Sequence, residues 1–197
     1  MNFATITRPP FDGWINSRSA VAVPEMTELM PREAGTVLDA VNLFRGRILS
    51  TAYELEHKLD RAILWHLFRH RQDGLAAFFE DNILRENSFG LDRKIRVVTK
   101  AALDWMDVDE HKVFAGALFD AKERRNILAH WPVWLQPLLG RDGEIVDYRP
   151  HLTKGEKTLT IDDSDQTVWL EDFVRVQKMT EELIETIIEY SKRDGSE

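Results

Sequence analysis

One apolar stripe limits what this chain can become. Val37, Val41, Phe44, Ile48, Ala52, Leu55, Leu59 and Ala62 recur three or four residues apart, the spacing of one face of an α-helix. Glu54, Lys58 and Arg61 line a different face. The pattern predicts a helix from Thr36 to about Arg69, roughly 50 Å long at 1.5 Å rise per residue. A helix of that length spans the height of a bundle, so the remaining elements are expected to pack alongside it.

The rest of the sequence supplies those neighbours. Leu75 to Arg85 reads as a short helix with Phe78 and Phe79 inward. Asn87 or Ser88 can cap a helix that carries Leu91, Ile95, Val98 and Ala102 on one stripe. Asp107 and Asp109 offer carboxylates to the free N–H groups of a further helix over Glu110–Ala129. That helix is stopped by Pro132, because the residue before a proline is driven out of the helical region. Gly140 and Gly143 then break the chain. Glu144–Arg149 and Lys157–Ile161, with Gly155 between them, read as a short hairpin. A last helix starting near Thr167 to Leu170 carries Phe173, Leu183, Ile184, Ile187 and Ile188. The expected fold is mainly α, an up-and-down four-helix bundle with a short β-hairpin inserted before the last helix.

The expected organisation is an N-terminal arm over 1–35, a helical domain over 36–192 with the hairpin at about 140–162, and a short disordered tail at 193–197. Four prolines, Pro9, Pro10, Pro24 and Pro31, and the lack of any period mark the arm. At 197 residues the chain suffices for one full core. No apolar run reaches the roughly 18 to 20 residues of a membrane span, and the first residues lack the order of a secretory signal. With no cysteine in the sequence, disulfides and thiolate metal sites are excluded. A cytoplasmic protein with no membrane partner is the expectation.

A net charge of −8 opposes nucleic acid unless cations cluster locally. Two clusters occur: Arg93, Lys94, Arg96 and Lys100, then Lys122, Arg124 and Arg125. Each can equally be a solvated helix face.

In the helix before Pro132, Phe114, Leu118, Ala121 and Leu128 form the inward stripe, and Arg125 falls within it. Arg124, one residue earlier, takes an ordinary exposed position. A guanidinium stays charged in proteins, so burying it demands a partner. Two readings fit. Arg125 can pair with an acidic residue of the first helix, such as Glu54 or Glu56. Alternatively it faces a cleft, where its planar fork donates two parallel hydrogen bonds to a phosphate. His130 closes the same helix, where the dipole favours the protonated imidazole. Asn126, four residues earlier, shares the face of His130. Arg125 and His130 stand about 140° apart around an ideal helix. For both to act on one group, either the helix end unwinds or two chains pool their motifs across a dyad.

The string Arg125-Asn126-Ile127-Leu128-Ala129-His130 resembles the Arg-polar-x3-His signature of the HEPN superfamily, the higher eukaryotes and prokaryotes nucleotide-binding domains. The placement is similar too: Tyr53-Glu54-Leu55-Glu56 on a long first helix, Asp92-Arg93-Lys94-Ile95 on the next, and the motif near the end of the third. The resemblance covers roughly residues 36–190. It implies a helical bundle that forms a homodimer and brings two motifs into one cleft. It also implies a metal-independent ribonuclease of a toxin–antitoxin, phage-defence or CRISPR-associated system, with an antitoxin or other partner protein, or else a relative that has lost activity and serves in dimerisation or in partner or nucleotide binding.

If that chemistry holds, a ribose 2′-hydroxyl of RNA attacks the adjacent phosphate. His130 acts as general base or acid, Arg125 stabilises charge on the phosphorane oxygens, and Asn126 orients His130 or the phosphate. Arg124, Lys122 and Trp131 are the expected substrate-binding residues. Neither a metal nor a cofactor is expected, since no ligand spacing of the HExxH or EF-hand type occurs. Phosphate-loop, dinucleotide-fold and nucleophile-elbow signatures are absent as well.

Two further features compete. Arg61-Ala62-Ile63-Leu64-Trp65-His66 repeats the Arg-x4-His spacing in mid-helix, without a polar residue after the arginine. There His66 reads as a satisfied core histidine. Trp131 and Trp134 flank the motif, placed either to stack on bases or to fill the bundle or the dimer seam.

Overall fold

A computed structural model describes residues 33–68, 74–86 and 89–194. The protein is mainly helical with one small antiparallel sheet. In chain order, α1 is Ala34–Phe68, α2 is Gly74–Phe79 and runs into a π-helical turn at Glu80–Leu84, α3 is Leu91–Ala102, and α4 is Val108–His130. Strands β1 (Val133–Leu139), β2 (Ile145–Lys154) and β3 (Lys157–Thr160) follow, and α5 is Asp163–Asp194. Among the described residues, no helix is long and apolar enough to cross a membrane. The expected arm, apart from its last three residues, lies outside the described residues, as do Asn87, Ser88 and the end of the tail at 195–197.

The long stripe forms as its spacing predicts. Val37, Val41, Phe44, Ile48, Ala52, Leu55, Leu59 and Ala62 are all buried on α1. Both α4 and α5 begin with a reciprocal cap. The Asp107 carboxylate accepts the N–H groups of Asp109 and Glu110, each at 2.9 Å, while Glu110 accepts the N–H of Asp107 at 3.3 Å. Asp162 and Asp165 repeat the arrangement ahead of α5, which therefore starts about five residues before the apolar period does.

Three sequence expectations are corrected. Phe78 faces solvent, and only Phe79 turns inward, edge-on to Phe68 at 5.4 Å between ring centroids. The six-residue α2 is too short to hide both rings. The expected helix over Leu75–Arg85 changes to π-helical pitch at Glu80, which rotates later side chains away from a 3.6-residue period. The inserted hairpin is two strands of a three-stranded meander, in the order β1-β2-β3. Lys154 pairs with Lys157 across a two-residue turn, where Gly155 takes φ +59°. β1 escapes sequence reading because its apolar residues do not alternate and Pro137 interrupts it. As an edge strand it tolerates the missing donor.

The chain divides into two compact units. One comprises residues 33–47 with Asn126–Val168, and contains the sheet. The other comprises Ile48–Arg125 with residues 169–194. Within the second unit polar contacts join α1 to α3, α3 to α4, α4 to α5 and α5 back to α1. Lys94 on α3 lies 2.9 Å from both Glu56 and Asp60 of α1. His111 on α4 contacts the carbonyl of Thr99 at 2.8 Å. Arg124 on α4 pairs with Asp172 on α5. Gln177 on α5 donates to the carbonyl of Thr51 at 2.9 Å, and Lys58 meets Glu181 at 2.7 Å.

Lys94 is only 4% exposed, so its placement in a basic surface cluster is also corrected. Burial pushes the Asp60 carboxyl above the usual range, while the hydrogen bond and charge of Lys94 pull it down. Removing one member of such a group strands the others in a poor dielectric. Lys94→Met is expected to cost about 3–5 kcal/mol in urea unfolding. Arg96→Met removes only an exposed i,i+4 pair with Asp92 and is expected to cost less than about 0.5 kcal/mol. Equal losses in the two variants would show that Lys94 is not structurally central.

Candidate active site

The motif helix does not unwind. α4 remains helical through His130, and the Trp131 N–H still donates to the Ile127 carbonyl at 2.9 Å before Pro132 ends the run. On an uninterrupted helix, Asn126 and His130 share a face one turn apart, and both are exposed. Arg125 and His130 keep their separation of about 140°. Of the two ways in which they could act together, an unwound helix end is thereby removed.

Arg125 is half-buried, at the edge of the inward stripe between the buried Ala121 and Leu128. Arg125 and Asn126 both make contacts within the chain. Glu56, one of the two carboxylates that the sequence offers to Arg125, is held by Lys94. Glu54 receives the Gln177 amide at 3.4 Å.

The expected substrate-binding residues are more engaged than sequence reading allowed. Arg124 is not on an ordinary exposed face: it is half-buried, ion-paired to Asp172, and 5.3 Å from the centre of the Trp169 ring. Its partners lie on α5, which projecting a single helix cannot reveal. Lys122 binds Asp92 at 2.7 Å and lies 5.1 Å from the centre of the Phe119 ring. This hydrogen bond is the main cause holding the Asp92 carboxyl below its usual range. Trp131 is half-exposed.

Two other histidines among the described residues have hydrogen-bond partners. His66 Nδ1, in the repeated Arg-x4-His spacing, accepts the indole N–H of Trp105 at 3.2 Å, but the ring is half-buried rather than in the core. His151 on β2 went unnoticed in the sequence. It is 7% exposed, contacts Gln136 Oε1 at 3.0 Å and Thr160 Oγ1 at 2.9 Å, and stacks on Trp134 with centroids 4.5 Å apart. Trp134 is therefore committed to the sheet. The strand alternation that brings these three residues onto one patch becomes readable only once β1 is known.

No family model, curated protein or solved structure matches this chain.

His151 gives the sheet a pH dependence. Burial, and then the charge of Arg149, lowers its pKa from the ordinary 6.5. The unfolded chain therefore takes up this proton at a higher pH than the native state does, so the native state loses stability as pH falls through about 6.5 and below. Urea unfolding at pH 7.5 and 5.5 should show the parent weakening more than His151→Gln, which keeps polar contacts but does not titrate. Identical pH slopes would remove His151 as the cause.

Proposed function

We propose that this chain is an HEPN-type module, an up-and-down four-helix bundle of α1, α3, α4 and α5, which cleaves RNA as a homodimer without a metal. The ring of contacts from α1 through α3, α4 and α5 back to α1 supports the bundle. It also joins two of the stretches that carry the resemblance, since Glu56 of the first helix pairs with Lys94 of the second.

The observation that carries the reading is the outward presentation of Asn126 and His130 on an intact α4. An exposed imidazole at a helix end can reach a substrate, and the amide one turn earlier can orient it or a phosphate oxygen. Arg125 points elsewhere around α4, so a complete set of groups calls for two copies of the motif in one cleft. In the reaction the 2′-oxygen bonds to phosphorus, its proton passes to a base, and the bond to the 5′-oxygen breaks as that oxygen gains a proton. His130 fills the base or acid role, and Arg125 offsets the charge gathering on the phosphorane. The products are a 2′,3′-cyclic phosphate and a 5′-hydroxyl.

A second reading is favoured by a separate observation. Lys122 and Arg124 are already neutralised by Asp92 and Asp172 in a chain of net charge −8. A module that only dimerises, or that binds a partner protein such as an antitoxin, needs no basic surface.

Incubating the protein with RNA in EDTA separates the two readings. The parent is expected to leave 2′,3′-cyclic phosphate ends. His130→Ala is expected to lower the rate by about 10²–10⁴-fold, and Arg125→Ala by about 10²–10³-fold. Intact RNA across diverse substrates would leave the non-catalytic module.

A further inference from the structure

We propose that His66 is a proton-operated latch: its neutral ring ties the end of α1 to the turn before α4 through Trp105, and the protonated ring releases Trp105 and turns to Asp104. This device is independent of the ribonuclease reading.

The contacts fix where the proton of the neutral ring lies. An indole N–H only donates, and Trp105 gives it to His66 Nδ1 at 3.2 Å. Nδ1 is therefore the bare nitrogen, and the neutral ring carries its single proton on Nε2. That nitrogen faces the Asp104 carboxylate at 4.0 Å, too far for a hydrogen bond. A second proton can only land on Nδ1, and the ring then has no acceptor left. Two N–H groups would confront each other across 3.2 Å, so the indole must let go. The same proton gives Asp104 a cation to attract. Both partners come from residues 103–107, the turn between α3 and α4.

The surroundings give the ring access to water and one carboxylate to answer it. The His66 side chain is 24% exposed and that of Asp104 68%, so solvent protons reach the ring, and an imidazole changes charge between about pH 5 and 8. One turn back on α1 stand Ala62 and Ile63, both buried and apolar. From α5, Tyr190 packs on Trp105 with ring centroids 5.2 Å apart. Nearby on α5, Glu189 and Arg193 pair with each other in solvent, and Lys192 is engaged within the chain. At the start of α4, Asp107 and Glu110 are occupied by their own cap. Asp104 is thus the charged group, among the described residues, that the ring meets. Once the ring is protonated, α1 and the turn are joined by an exposed charge pair, which contributes little in water. The tie between the end of α1 and the start of α4 loosens, while Trp105 stays against Tyr190.

NMR of the isotopically labelled full chain over that pH range tests this. One of the six indole N–H signals, assigned to Trp105 by its loss in Trp105→Phe, is expected to shift and to lose protection from exchange in step with the His66 ring protons. Continued dispersion of the remaining indole signals separates this change from unfolding. If Trp105→Phe does not fold, sequential assignment of the parent locates the same signal. In His66→Gln the side-chain oxygen can accept the indole N–H at every pH, so the Trp105 signal is expected to stay fixed. A Trp105 signal that stays put while the His66 ring of the parent takes its proton overturns the latch. So does a Trp105 titration that survives unchanged in His66→Gln.

Discussion

The ammonium of Lys94 sits between Glu56 and Asp60 with almost no access to water, and the alignment of α3 on α1 depends on it. Stripes of leucine, isoleucine and alanine can slide past each other by a turn at modest cost. A buried cation resists this, because one turn out of place it keeps only one of its two carboxylates, and the other is left buried without its partner. The pairing therefore fixes a register that apolar packing leaves loose, as polar residues in helical interfaces do elsewhere. His111 then ties α4 to the carbonyl of Thr99 on α3, so the position of the motif helix is inherited from the alignment beneath it.

The two ends of α4 decide which of its side chains that placement presents. Its start is held by the reciprocal Asp107–Glu110 cap, which supplies partners for donors that the first turn leaves free. Its end is set by Pro132, which allows helix through His130 and no further. Between them the inward face is apolar at Phe114, Leu118, Ala121 and Leu128. Asn126 and His130 are left outward because they fall off that stripe. Arg124 is held to α5 by Asp172, so two adjacent arginines have different surroundings. One is fastened between helices, and the other borders the core.

Much of this was legible from spacing alone. The α1 stripe, the inward residues of α4 and α5, and the stop at Pro132 follow from local periodicity and backbone sterics, which need no knowledge of neighbours. What was missed depends on contacts across the fold. Lys94 looks like one member of a basic surface run until α1 supplies its carboxylates. Arg124 looks exposed until Asp172 and Trp169 arrive from α5. β1 lacks alternation and contains a proline, so it is recognisable only through its pairing with β2. His151 is invisible for the same reason, since Gln136 and Thr160 reach it from the flanking strands. The candidate residues Arg125, Asn126 and His130 were found in the sequence because a short helical motif is itself local. The company they keep was not.

Subunit mixing tests whether two chains pool their motifs, as proposed. Arg125→Ala and His130→Ala chains, each expected to cleave far more slowly than the parent, are unfolded together, refolded as a mixture and assayed on RNA in EDTA beside the refolded parent and each refolded variant alone. The mixture is expected to regain part of the parent's cleavage, because a mixed dimer brings one intact Arg125 and one intact His130 to a shared cleft. A parent that cleaves while the mixture stays inert, or a parent that never cleaves, would contradict it.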